Sequence, residues 1–217
     1  MTRTTGKDSE PLRSRDRAAT ERLLVEAATS VLAEDGFQNF GVNAIARRAG
    51  CDKQLIYRYF AGLDGLADAI GMDLAQKLTG DLEPLSVALK PITYGELVQG
   101  LVLGLLDLLR KDRIMQQIIA WELAAPCPLV LRMVAARGQR LSAWMHTMRG
   151  DLAAPSGVDA PAVNAILIAS TEHLVLSASA TGAFTSVSLK TEADWERVRG
   201  TLKLVVGAVY GVPKGTR

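Results

Sequence analysis

The stretch Val42–Phe60, VNAIARRAGCDKQLIYRYF, decides how this chain is read. Val42, Ile45, Ala46 and Ala49 recur at three- and four-residue spacing, which predicts a short helix over 42–49 with one apolar face. Gly50 ends it, because glycine reaches the positive φ that a tight turn requires. Asp52 stands where a carboxylate accepts the first backbone N–H groups of a second helix, 53–60. In that helix Ile56, Tyr59 and Phe60 fall at i, i+3 and i+4 and form the inward face, leaving Lys53, Gln54, Tyr57 and Arg58 outward. Two short helices around a tight turn, the second with a free polar face, make the pattern of a helix-turn-helix. Lys and Arg neutralise phosphates or donate to guanine, Gln pairs with adenine, and a Tyr hydroxyl positions on phosphate. A plain solvated face has the same residue types, so spacing alone leaves both readings open.

Working outward, Leu23, Leu24, Ala27, Ala28, Val31 and Leu32 predict a helix from about Arg17 to Asp35-Gly36. Phe37 and Phe40 follow and are expected to cover the end of a small core. Residues 1–15 are polar, contain Pro11, and read as a flexible basic arm. The compact helix-turn-helix domain is therefore expected over 16–63, and a larger helical domain over 64–217. Leu63 or Asp64 should start a connecting helix toward Thr79. Beyond Pro84 and Pro91, long helices are expected at about 94–110, 112–125, 129–150, 161–181 and 193–210. The expected fold class is all-α.

Composition supports this. Of 217 residues, 48% are hydrophobic and only 5% aromatic, so a sizeable core is built without β-rich runs. The net charge is +2, with the positive excess confined to residues 1–60. Cys51 and Cys127 lie far apart and suggest neither a disulfide framework nor a CxxC metal site. The most apolar stretch, about 162–182, is interrupted by Asn164, Glu172 and His173, so no membrane span is expected and the expected location is cytoplasmic. His146 and His173 are the only histidines and have no metal-site spacing, and no phosphate loop, dinucleotide fingerprint or nucleophile elbow occurs. No catalytic residue, metal or cofactor is expected. An adaptor that binds protein through the 53–58 face is the rival to a DNA reader.

The segment DGFQNFGVNAIARRAGCDKQLIYRYFAGLDGL, Asp35–Leu66, resembles the N-terminal domain of the TetR family of bacterial transcriptional regulators. The helix ending in Gly-Phe, the I-A-x-x-A-G pattern and the I/L-Y-x-Y-F signature occur in register, within a match over about Ala18–Ile70. The resemblance implies a homodimer that binds a double-stranded DNA operator and responds to a small-molecule effector, repression being the commoner mode. It places recognition contacts on Lys53, Gln54, Leu55, Tyr57 and Arg58, with Tyr59 the second aromatic of the signature. Two departures stand out. The family's phosphate-binding Lys at the start of the fourth helix is absent from Ala61-Gly62-Leu63-Asp64, and position 55, usually small or hydroxylated, is Leu. Arg13, Arg15 and Arg17 are candidates to compensate.

The resemblance also implies dimerisation through the last two long helices. The stripes expected to pair are Ala165, Ile168, Ala169, Glu172, Val175, Leu176 and Ser179, and Leu202, Val205, Val206 and Val209. Effector-contact candidates on the middle helices are Met115, Ile118, Trp121, Glu122, Trp144, Met148 and His173. Their apolar and aromatic character suits a ligand, and suits ordinary core equally.

Overall fold

The computed structural model describes residues 9–211 and is built from nine α-helices among them. Helix α1 spans Ser9–Asp35, and a 3-10 turn over Phe37–Asn39 leads into α2 (Val42–Ala49) and α3 (Gln54–Phe60). Then come α4 (Leu63–Leu89), α5 (Tyr94–Lys111), α6 (Arg113–Ala124), α7 (Pro128–Arg149) and α8 (Ala160–Thr181). A two-stranded antiparallel hairpin, β1 (Ala183–Phe184) and β2 (Val187–Ser188), precedes α9 (Glu192–Tyr210). The fold class is all-α.

Residues 1–8 of the expected arm, and the side chains of Arg13 and Arg15, lie outside the described residues. From Ser9 onward the arm is already helix, because a proline in the first turn costs no intrahelical donor. Helix α4 likewise runs past Thr79, through Pro84 to Leu89. Proline removes one ladder hydrogen bond, and burial of Leu74, Ala75 and Leu82 offsets that loss.

The chain divides into two compact units, Met1–Asp73 with Trp121–Arg137, and Leu74–Ala120 with Gly138–Arg217. Sequence placed a boundary near residue 63, but α4 is one uninterrupted helix there and carries the first unit on to Asp73. The core of the first unit is built on Leu24, Ala28, Leu32, Ile45, Ile56, Leu66 and Ile70, all fully buried. Each large apolar side chain there contributes about 2 kcal/mol of burial free energy. The elbow between α6 and α7 folds with this unit. Trp121 packs over Gly36, Glu122 accepts both guanidinium bonds of Arg137 at 2.6 and 2.7 Å, and Arg132 pairs with Asp68.

The second unit is organised around α5, α8 and α9. Thr93 and Glu96 form a capping box on α5, Asp159 caps α8, and Thr191 with Asp194 caps α9. Polar side chains inside this unit are paired with one another. Asn164 donates to the Tyr94 hydroxyl at 2.8 Å and accepts from Tyr210 at 2.9 Å, and the two rings meet edge-on at 5.3 Å. Burial pushes the Tyr210 phenol up to about 12. Buried Gln116 donates to the Leu109 carbonyl and accepts from Ser179, each at 2.6 Å.

Burial corrects the stripes expected on the last two helices. Val175, Leu202 and Val206 are buried within this unit, with Trp195, Val198 and Tyr210 beside the latter two along α9. What faces outward is Ala162, Ala165, Ile166, Ile168 and Ala169 on α8, and Leu204, Val205 and Ala208 on α9. A valine-rich helix shows apolar residues on more than one face, so periodicity could not say which face the chain itself uses. By length and composition α8 is also apolar enough to cross a membrane. Its Asn164 and buried Thr171 instead find hydrogen-bond partners inside the unit.

Candidate nucleic-acid interface

Helices α2 and α3 are joined as the sequence predicts. Gly50 takes φ 65° in the left-handed region, and the Asp52 carboxylate accepts from the Gln54 N–H at 2.8 Å. Lys53 is the residue that enters α3, and its side chain is exposed with those of Gln54, Tyr57 and Arg58. Ile56 is fully buried, and Tyr59 and Phe60 are half-buried on the same inward side. Leu55 is half-buried at the edge of the outward face. Tyr57 is 56% exposed, a large cost for an aromatic ring unless something covers it.

Tyr59 does not stand with Tyr57. Its ring is flanked by two cations, Arg58 at 5.8 Å and Arg17 of α1 at 5.4 Å from the centroid. An aromatic face attracts a guanidinium, so Tyr59 is a platform that brings both arginines to the edge of α3. Arg17 is tied further by Glu21 at 2.7 Å, and that carboxylate holds its guanidinium above the ordinary pKa. The two α2 arginines diverge. Arg48 forks onto Glu34 at 2.9 and 2.7 Å, whereas Arg47 is exposed and forms no ion pair among the described residues. The adjacent Arg47-Arg48 was the readable signal for this extra cation, but sequence could not say which of the pair is engaged.

The junction into α4 is tight. Ala61 and Gly62 both take positive φ, 58° and 118°. A Cβ on Gly65 would lie 2.0 Å from the Phe60 carbonyl oxygen, so only glycine lets α4 start this close to the end of α3. At that start the basic residue expected of the resemblance is replaced by half-buried Leu63.

Residues 24–70 match the family model for bacterial regulatory proteins of the tetR family. Solved structures similar to this one, TetR-family regulators among them, match it across nearly their whole length. A TetR family transcription regulator from Marinobacter aquaeolei is 16% identical, covers 89% of this chain and 97% of its own, and gives a TM-score of 0.59. Salmonella enterica GusR is 17% identical, with 95% and 100% coverage and a TM-score of 0.63. The multidrug binding protein EbrR, complexed with malachite green, is 17% identical, with 88% and 97% coverage and a TM-score of 0.58. No curated protein matches the sequence. Residues 24–70 thus resemble the TetR-type head, and the chain has a fold like that of solved TetR-family structures.

The seven effector candidates are divided between the two units. Trp121 and Glu122 belong to the first unit, where Trp121 covers Gly36 and Glu122 is satisfied by Arg137. In the second unit Met115 and Ile118 are buried, and Trp144 and Met148 are half-buried. His173 is exposed and meets the edge of Phe184 from the hairpin at 4.7 Å. Trp144 stands out chemically, because its indole Nε1 is buried without a hydrogen-bond partner among the described residues.

Proposed function

We propose that this protein is a ligand-responsive, non-enzymatic transcriptional regulator of the cytoplasm, a repressor that binds a palindromic operator as a homodimer and releases it on binding an effector. The observation that supports this best is the outward face of α3. Lys53, Gln54, Tyr57 and Arg58 stand exposed on a helix whose other side is anchored by fully buried Ile56. Lys53 and Arg58 meet phosphate or guanine, Gln54 meets adenine, and Tyr57 positions its hydroxyl on phosphate. Leu55 adds an apolar contact for a thymine methyl. Arg17, steered to the Tyr59 ring, and Arg47 take the place of the missing fourth-helix lysine as backbone anchors.

Dimerisation through the outward apolar faces of α8 and α9 gives two heads for two half-sites. The effector reading rests on Trp144, whose N–H has no partner among the described residues and suits an acceptor on a ligand, with Met148, Met115 and Ile118 as further apolar candidates in the same unit.

Selecting bound duplexes from a random pool tests the whole reading. A palindromic consensus is expected, with affinity falling steeply as salt rises. Tyr57→Phe and Arg58→Ala should each weaken a mobility-shift titration about tenfold or more, in line with loss of one charge-assisted contact. Unchanged affinity in both variants would exclude α3 as the reading helix.

A further inference from the structure

The second unit has a groove unrelated to the effector candidates above. It has a volume of about 610 Å³ and lies among the end of α4, the start and middle of α5, and α9. Its apolar lining includes Pro91, Ile92 and Leu103, and Gly100 with buried Gly104 leaves space along α5 where side chains would otherwise stand. Ile92 is 78% exposed, so its side chain is available to a ligand rather than used in the core.

Four charged residues line the same groove, and their state decides what it accepts. Both acids are engaged. Glu96 accepts from the backbone N–H groups of Ile92 and Thr93 at 2.8 and 3.2 Å, and Asp107 is forked by Arg199 at 3.1 and 2.5 Å. Both lysines are free: Lys90 and Lys203 form no ion pair among the described residues. Lys90 also takes φ 44°, a left-handed conformation unusual for lysine, at the turn between α4 and α5. Strained non-glycine backbone of this kind concentrates where a site needs it.

We infer that this groove binds an amphipathic anion, a carboxylate on a hydrocarbon body, with Lys90 and Lys203 taking the head group and Ile92, Pro91 and Leu103 the chain. A cationic amphipath is disfavoured, because Asp107 already holds Arg199 and the Glu96 carboxylate caps the start of α5, and a neutral one makes no use of the two lysines. The volume lies within the usual range for small-molecule sites. A head group between two ammonium groups gains charge-assisted bonds, and an apolar body gains burial, so neither feature alone is sufficient.

Calorimetric titration of the whole protein with octanoate, 1-octanol and octylammonium tests this. Octanoate should bind, and the other two at least tenfold more weakly. Lys203→Gln and Lys90→Gln should each weaken octanoate about tenfold, while Lys203→Arg keeps most of the affinity. Octanoate binding no tighter than octanol, or unaffected by both glutamine variants, overturns the assignment. Both lysines are exposed, so their replacement leaves folding intact, and circular dichroism checks this. Trp144→Phe should leave octanoate binding unchanged, which separates this groove from the effector site proposed above. A loss in that variant equal to the lysine losses would place the anion elsewhere and overturn the inference.

Discussion

At Gly36, where α1 ends, backbone and packing impose two separate demands on one residue. Its φ of 71° is left-handed, and the Trp121 ring carbons stand 2.8 to 2.9 Å from where a Cβ would lie. The sequence Asp35-Gly36 announces the helix stop, because only glycine takes that conformation without strain. Nothing local announces Trp121, which is 85 residues away in number and reaches Gly36 only through the fold. Gly36→Ala is expected to cost about 2–3 kcal/mol, from strained φ plus overpacking, read as a shift in the urea midpoint. In a Trp121→Ala background the same substitution should cost only the conformational part, about 1–2 kcal/mol. Equal costs in both backgrounds would show that the tryptophan contact contributes nothing. The arginines make the same point. Arg17, Arg47, Arg48 and Arg58 look alike in the sequence, but Arg48 is locked onto Glu34 while Arg17 and Arg58 share the Tyr59 ring.

Besides its hairpin pairing, the segment between α8 and α9 is tied to the start of α9 by one carboxylate. Asp194 accepts from the Ser188 hydroxyl and from the backbone N–H groups of Lys190 and Thr191, at 2.8 to 3.0 Å. These donors favour the charged form and lower its pKa from 3.8 to about 2. A depressed carboxylate stabilises the fold above its unfolded pKa, and that contribution disappears as pH falls through the folded one. Stability should therefore decline between about pH 4 and pH 2 in the natural protein, and Asp194→Asn should flatten that part of the curve of melting temperature against pH. An unchanged slope in the variant would remove Asp194 from the account of acid sensitivity. Sequence periodicity starts this helix at about residue 193; the capping box of Thr191 and Asp194 that fixes the start at Glu192 is a local pattern that it passes over. The short hairpin before it was not legible, since strands of two residues each leave no periodicity to read.

Assembly is decided by what the folded chain leaves uncovered. Ile166 is 68% and Leu204 70% exposed, among alanines on α8 and beside Val205 on α9. Apolar area of this kind on two long helices supports the proposed dimer interface. Ile166→Asp and Leu204→Asp are expected to leave monomer folding within about 0.5 kcal/mol, because neither side chain contributes to the core. Sedimentation at micromolar concentration should then give half the mass of the natural protein, and operator binding should lose its dependence on both half-sites. A natural protein that sediments as a monomer would exclude the dimer.

The sequence by itself determined the all-α class, the position of the helix-turn-helix and the outward residues of its second helix. All three follow from spacing within a few turns, where periodicity, caps and turn residues act directly. The limits of α4, the partners of Glu122 and Trp121, the buried face of α9 and the free lysines of the α4–α5–α9 groove were decided only by the tertiary structure. Each depends on residues distant in sequence competing for the same space or charge, and apolar or basic composition is identical whichever competitor wins.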